Sequence, residues 1–296
     1  STRRYTLSLH DALPICKRPL YFLILAAFLN VVLDLLFIAG FHMGAEGAAY
    51  ATVISQGVSG GLCLFYIYKK VPALHLHRED WRLDGDLVKW QVAIGFPMAF
   101  QYSITAIGTI VLQACLNTLG SVAAAGFAAA SKIEQVVSQA YVALGTTMAT
   151  YCAQNTGAGE KERLRKGFRS ATWIGIIYAV LSGLLIILAG KYLTVLFVSE
   201  NLNEITGYVD TYLKCVGISF IPLVFVNVYR NGIQGMGFGL LPMTAGVAEL
   251  IGRSVMALIA AWFGSYVGMC FAAPLAWVLA GGLLFVMYLY IMKKRI

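Results

Sequence analysis

The sequence predicts an all-α polytopic membrane protein with eight transmembrane helices. Three observations carry that prediction. Of 296 residues, 59% are hydrophobic and only 12% are charged, roughly half the charged share of a soluble domain. The mean hydropathy is +0.75. The apolar residues fall in long blocks rather than in amphipathic stripes, which is the pattern of chains that cross a bilayer repeatedly. A disordered chain, a nucleic-acid-binding module and an ordinary soluble enzyme are excluded, because 36 charged residues cannot clothe a soluble domain of this size.

The first fifteen residues stand apart. Residues 1–15 (STRRYTLSLHDALPI) are polar, contain Pro14 and stop where an apolar block begins. They lack the apolar core of a signal peptide. They resemble translated sequencing-adapter sequence, and we expect a non-native prefix; a cytoplasmic tail is the open alternative. Without them the chain holds 20 basic and 13 acidic residues and remains basic.

The spans are expected at 19–40, 46–68, 91–116, 122–151, 170–190, 205–232, 243–263 and 267–292. Each is long enough to cross a ~30 Å hydrocarbon core at ~1.5 Å per residue. Most connections are short, so neighbouring helices run antiparallel. The longest, 69–90, carries Pro72, His75, His77 and a charged run and reads as an inter-lobe linker. The stretch Gly159–Ser170 is basic and amphipathic, suited to lipid headgroups.

Charge orients the chain. One set of connections and ends collects Lys17, Arg18, Lys69, Lys70, Arg78, Arg82, Lys89, Lys161, Arg163, Arg165, Lys166, Arg169, Lys293, Lys294 and Arg295. The opposite loops hold Lys191 and the acids Glu46, Glu200 and Glu204. By the positive-inside rule the first set is cytoplasmic, with both termini inside a cell membrane. The six cysteines are dispersed, with no CxxC pair or Cys/His cluster, so neither zinc nor a disulfide framework is indicated.

The first two spans resemble the last two. Pro19 aligns with Pro242, Asn30 with Arg253, and both copies end in tyrosines and paired lysines. Copies six spans apart share an orientation, as in transporters built from parallel repeats. A six-span repeat implies twelve spans in the whole protein.

The polar residues inside the spans are the candidate functional groups, since intramembrane charge is costly and functional by default. Asn30 and Asp34 are four apart on one helix face. Counting ~1.5 Å per residue puts Asp34 and Thr52 both about 9 Å below the outer surface, so the second span brings a hydroxyl level with the carboxylate. A carboxylate, an amide oxygen and a hydroxyl suit a small hard cation, and a buried aspartate suits a proton carrier. A purely structural hydrogen bond between helices is the alternative. Further on, Glu249 and Arg253 can pair on their own helix, whereas Lys132 and Glu134, two apart, cannot face each other. Gln101, Tyr102 and Asn227 are further candidates for a cavity or an ion-pair network.

Six segments stand out along residues 16–296: Asn30-Val-Val-Leu-Asp34, Met43-Gly44-Ala45-Glu46-Gly47-Ala48-Ala49, Ala51–Gln56, Gly95-Phe96-Pro97, Ala153–Gly159 and Gln234-Gly235-Met236-Gly237. In their order and spacing the chain resembles the multidrug and toxic compound extrusion (MATE) family over that whole stretch. The resemblance implies two six-helix lobes around a central cavity. Residues 16–68 would be the last two helices of the first lobe, 69–90 the cytoplasmic linker, and 91–296 the complete second lobe of a twelve-helix fold.

The resemblance further implies an antiporter exporting drugs or organic, often cationic, compounds in exchange for H+ or Na+. It implies no cofactor and no nucleic acid, only the bilayer and a small-molecule substrate as partners, and a monomer when full length. Asn30, Asp34 and Thr52 fall on the family's first-lobe cation site, where Na+ is a possible ligand. The acid that some family members carry on the seventh helix, in a second-lobe cation site, is replaced here by Thr105. A flippase for lipid-linked oligosaccharides, of the same fold superfamily, is the alternative. An intramembrane enzyme is disfavoured, since no span holds a His-Glu-x-x-His motif or clustered aspartates.

Overall fold

The computed structural model describes residues 9–71, 83–193 and 202–294. These fold into helices and turns, without a strand. The chain divides into two compact units, Ser1–Asp84 and Gly85–Ile296. Residues 1–8, much of the 69–90 linker with its histidines, and the 194–201 connection with Glu200 lie outside the described residues.

The first unit is a helical hairpin. Helix α1 spans Leu9–Asp34, and so includes residues 9–15, which the sequence set apart. It runs directly into a π-helical segment, Leu35–Gly40, whose end is marked by the Phe41 N–H bonding to the Leu36 carbonyl at 3.0 Å. Helix α2 follows at Gly44–Lys70. Gly47, at the start of α2, lets this helix pack closely on the π segment, because a Cβ there would lie 2.9 Å from the Phe37 Cβ.

The second unit contains α3 (Gly85–Asn117), α4 (Ser121–Gly157), α5 (Lys161–Leu193), α6 (Leu202–Ile218), α7 (Phe220–Gly235), α8 (Leu240–Trp262), α9 (Tyr266–Cys270) and α10 (Ala272–Lys294). Among the described residues, six helical stretches are long and apolar enough to cross a membrane, or seven if the bent pair α6–α7 is one span. The sequence led us to expect eight. The eighth expected span is α4, whose segment 131–139 (SKIEQVVSQ) holds six polar residues of nine and lowers its hydropathy, and which packs against α5, α6 and α7.

The expected continuous span 205–232 is broken. α6 and α7 meet at Ser219 with a 55° bend. Pro222 explains it: proline has no N–H to give, and its ring clashes with the carbonyl four residues earlier, here Ile218, the last residue of α6. Pro274 repeats the arrangement, four residues after Cys270, the last residue of α9. The break is held by packing. Phe220 is fully buried and its ring lies 5.6 Å from that of Tyr141, whose hydroxyl meets that of Ser182 at 2.8 Å. α4 and α7 also approach closely, since any Cβ on Gly235 would collide with the Ala149 backbone. The core of this unit is thus built around α4 and α7 and reaches α5, α6, α8 and α10.

Candidate functional site

In the first unit, Asn30 on α1 donates from its amide nitrogen to the Thr52 hydroxyl on α2 at 3.4 Å. That hydroxyl donates in turn to the Ala48 carbonyl at 2.9 Å. Asp34 lies one turn further along α1, half-buried, and its Oδ1 is buried without a hydrogen-bond partner. The helix changes to π geometry at the next residue. Thr52 therefore sits level with Asn30 rather than with Asp34, as the straight-helix count had it. A π segment has more residues per turn and less rise than an α-helix, so the count from Gly40 placed Asp34 too deep. Single-turn π segments inside α-helices are frequent at functional sites. Here the segment begins where an acceptor is left open.

In the second unit the candidate residues take part in three groups of polar contacts. Glu249 on α8 is gripped twice: Arg253, one turn later, donates to Oε1 at 2.8 Å, and Arg230 on α7 donates to Oε2 at 2.6 Å. The side chains are 5%, 9% and 17% exposed for Glu249, Arg253 and Arg230. Gln234, one turn beyond Arg230, donates to Gln101 on α3 at 2.9 Å. Glu134 on α4 accepts from the buried Tyr212 hydroxyl of α6 at 2.5 Å.

The expected i,i+4 pair of Glu249 and Arg253 is therefore present, and Glu134 finds its partner on another helix. Arg230, Gln234 and Tyr212 complete these contacts, and sequence reasoning did not assign them. The four-residue spacing of Arg230 and Gln234 on one helix face was the available signal. The remaining candidates stay apart. Tyr102 is 71% exposed, turned away from the face that Gln101 buries. Lys132 is exposed, with no carboxylate within 4.0 Å among the described residues. Asn227 donates to the Leu223 carbonyl of its own helix at 3.0 Å. Thr105 likewise bonds back to the Gln101 carbonyl at 3.0 Å. Among the described residues no three His, Cys, Asp or Glu side chains cluster as metal ligands.

The MatE family model matches residues 97–259, more than half of the chain. The chain belongs to the MatE family. Among curated relatives, "Probable multidrug resistance protein YpnP" of Bacillus subtilis is 31% identical over 255 residues, covering 84% of this chain and 55% of that protein. The "FAD transporter" of Shewanella oneidensis is 24% identical over 275 residues, covering 90% of this chain and 59% of that protein. A MOP superfamily transporter from Pyrococcus furiosus superposes with a TM-score of 0.86 at 21% identity, over 93% of this chain and 63% of that one. At that identity the likeness concerns the fold. This MatE chain spans a little over half the length of the two curated relatives. Its apolar helices make it a multi-pass membrane protein.

Proposed function

We propose that this MatE chain is part of a secondary active exporter, an antiporter that moves drugs or other organic compounds outward in exchange for H+ or Na+. The observation that carries the reading is the unpartnered Asp34 oxygen, one turn from the Asn30–Thr52 contact. A half-buried carboxylate with one buried, open oxygen is readily neutralised by taking a proton or a cation. Thr52 and Asn30 present further oxygens to a cation if the Asn30 amide turns over. Relatives' names support export of organic molecules: one is called a multidrug resistance protein, another an FAD transporter.

On this reading α1 and α2 are the last two helices of a first six-helix lobe. Helices α3 to α10 make the six spans of a second lobe, with α6–α7 and α9–α10 each one broken span. The basic loops face the cytoplasm and the protein resides in the plasma membrane. Neutralisation of Asp34 alters the packing of the first lobe and biases the transporter between its inward-open and outward-open states. The buried Glu249 network serves the second lobe as a rigid, internally paired core.

The flippase alternative needs cations free to bind a diphosphate. Of the three candidate cations, Arg230 and Arg253 are both engaged by Glu249 and only Lys132 is left, which favours the exporter. The test is efflux by the full-length parent against an imposed proton or sodium gradient, with Asp34 intact or replaced.

A further inference from the structure

A groove runs along the outside of the second unit between α5, α7 and α10. Its wider part, a cleft of about 310 Å³, is lined by Arg165, Arg169, Thr172 and Trp173 of α5, with Tyr229 and Tyr288 opposite. Its narrower part, about 230 Å³, is apolar and runs past Pro222, Gly281 and Gly282 to Trp277. The two parts adjoin at Phe225 and Phe285, which line both. Phe225 stacks on Tyr229 with ring centroids 5.5 Å apart, and Phe285 sets its edge against Phe225 at 5.9 Å. Trp173 and Val278 are 58% and 52% exposed. The groove therefore opens on the surface of the helical bundle, where lipid lies.

The two ends differ in chemistry. The basic start of α5 carries bases with different partners. Arg163 lies 3.9 Å from Glu160 and Lys166 lies 3.9 Å from Glu162. Arg165 and Arg169 have no carboxylate within 4.0 Å among the described residues, and these two line the groove. They are four apart, on one helix face. The opposite end is wholly apolar. From Tyr288 to Trp277 along α10 the groove runs eleven residues, ~16 Å at 1.5 Å per residue. One leaflet of a ~30 Å hydrocarbon core is ~15 Å deep.

We propose that this groove is a binding site for one anionic phospholipid. Its acyl chain lies along Phe225, Phe285 and the Gly281–Gly282 floor, and its phosphate is held by Arg165 and Arg169. A neutral lipid would fill the apolar part equally well but would bring no net charge to the two guanidiniums. An anionic headgroup supplies it, and guanidinium is well matched to phosphate. The site also bears on the break between α6 and α7, because Pro222 lines the groove. A bound chain braces α7 on its lipid-facing side.

The test uses the purified 296-residue chain in neutral detergent. Native mass spectrometry would measure competition between phosphatidylglycerol and phosphatidylcholine with identical acyl chains. Two surface cations give a preference of roughly thirtyfold for the anionic lipid. Arg165→Gln with Arg169→Gln is expected to bring the ratio near one. Arg163→Gln with Lys166→Gln removes the same charge from the paired bases and is expected to keep the preference. Gly282→Phe is a second arm: a Cβ there meets nothing within 4 Å, so the ring enters the groove and displaces the chain without disturbing the packing. It is expected to abolish the retained phosphatidylglycerol. Glycerol 3-phosphate, tested as a competitor at equal concentration, is expected to leave the lipid bound. Equal retention of the two lipids by the wild type would overturn the proposal. So would an equal loss in the Arg163/Lys166 control, retention by Gly282→Phe, or displacement by glycerol 3-phosphate.

Discussion

Arg230 on α7 and Glu249 on α8, nineteen residues apart in sequence, meet at 2.6 Å and tie together two helices joined by the short connection 236–239. Arg253 takes the other oxygen of the same carboxylate at 2.8 Å. One acid thus neutralises part of two buried cations, whose Nε atoms have no hydrogen-bond partner. Such an arrangement is sensitive to loss of its centre. Glu249→Gln leaves two guanidiniums buried against one neutral amide, and breaking a buried pair from one side costs about 3–5 kcal/mol. The variant should unfold at a clearly lower temperature than the wild type in the same detergent. Arg230→Gln should be milder, because Glu249 keeps Arg253. If the two variants melt alike, the carboxylate is not the centre of the network.

Tyr212 and Glu134 make the second cross-helix contact, between α6 and α4, at 2.5 Å. Tyr212→Phe keeps the ring and its edge-on packing against Phe127, 4.6 Å between centroids, and removes only the hydroxyl. A hydrogen bond contributes about 0.5–1.5 kcal/mol net, and a buried acceptor left open costs about 1–3 kcal/mol, so a moderate loss of thermal stability is expected. Glu134→Gln retains an acceptor and should lose less. A Tyr212→Phe variant as stable as the wild type would show that the hydroxyl contributes nothing there.

The helical character of the chain was legible from composition alone, because hydrophobic blocks with so few charges have no other stable form in a bilayer. The break at Ser219 was also legible in principle, since Pro222 sits four residues beyond the end of α6 and Pro274 repeats that spacing at the next break. The π segment after Asp34 was not. Residues 35–40 (LLFIAG) carry no helix-breaking proline, and periodicity does not distinguish an inserted residue from a regular turn. In the site, i,i+4 spacing found Glu249 with Arg253, because that rule is local to one helix. The contacts Gln101–Gln234, Glu134–Tyr212 and Arg230–Glu249 depend on which helix faces which. A hydropathy pattern does not encode that choice.

The proposed sidedness gives a direct prediction. Arg163 lies at the start of α5 with its side chain 68% exposed. A cysteine placed there in the full-length parent should resist membrane-impermeant maleimide in intact cells and react once the membrane is opened. Strong labelling from outside would reverse the orientation and, with it, the assignment of the basic loops to the cytoplasm.

Asp34 provides the last and most consequential test. Its Oδ1 has no hydrogen-bond partner to lose, so Asp34→Asn in the full-length parent keeps the side-chain shape and gives up a half-buried charge. Folding should be nearly unaffected. What the amide cannot do is release and rebind a proton or balance a cation. Gradient-driven efflux should therefore fall to background at matched expression. Thr52→Ala removes a neutral ligand and the acceptor of the 3.4 Å bond from Asn30, and Asn30→Ala removes its donor; each should weaken coupling less than Asp34→Asn. Equilibrium binding of substrate should survive all three, since none of them is placed in a substrate contact. The measurement is the rate of drug efflux against an imposed proton or sodium gradient, with expression and thermal stability checked in parallel. Wild-type rates in Asp34→Asn would make the carboxylate a structural residue of α1 and end the case for coupling at this position. Loss of efflux together with loss of folding would point the same way, to a packing role. Loss of efflux in a stably folded variant is the outcome expected of a coupling site.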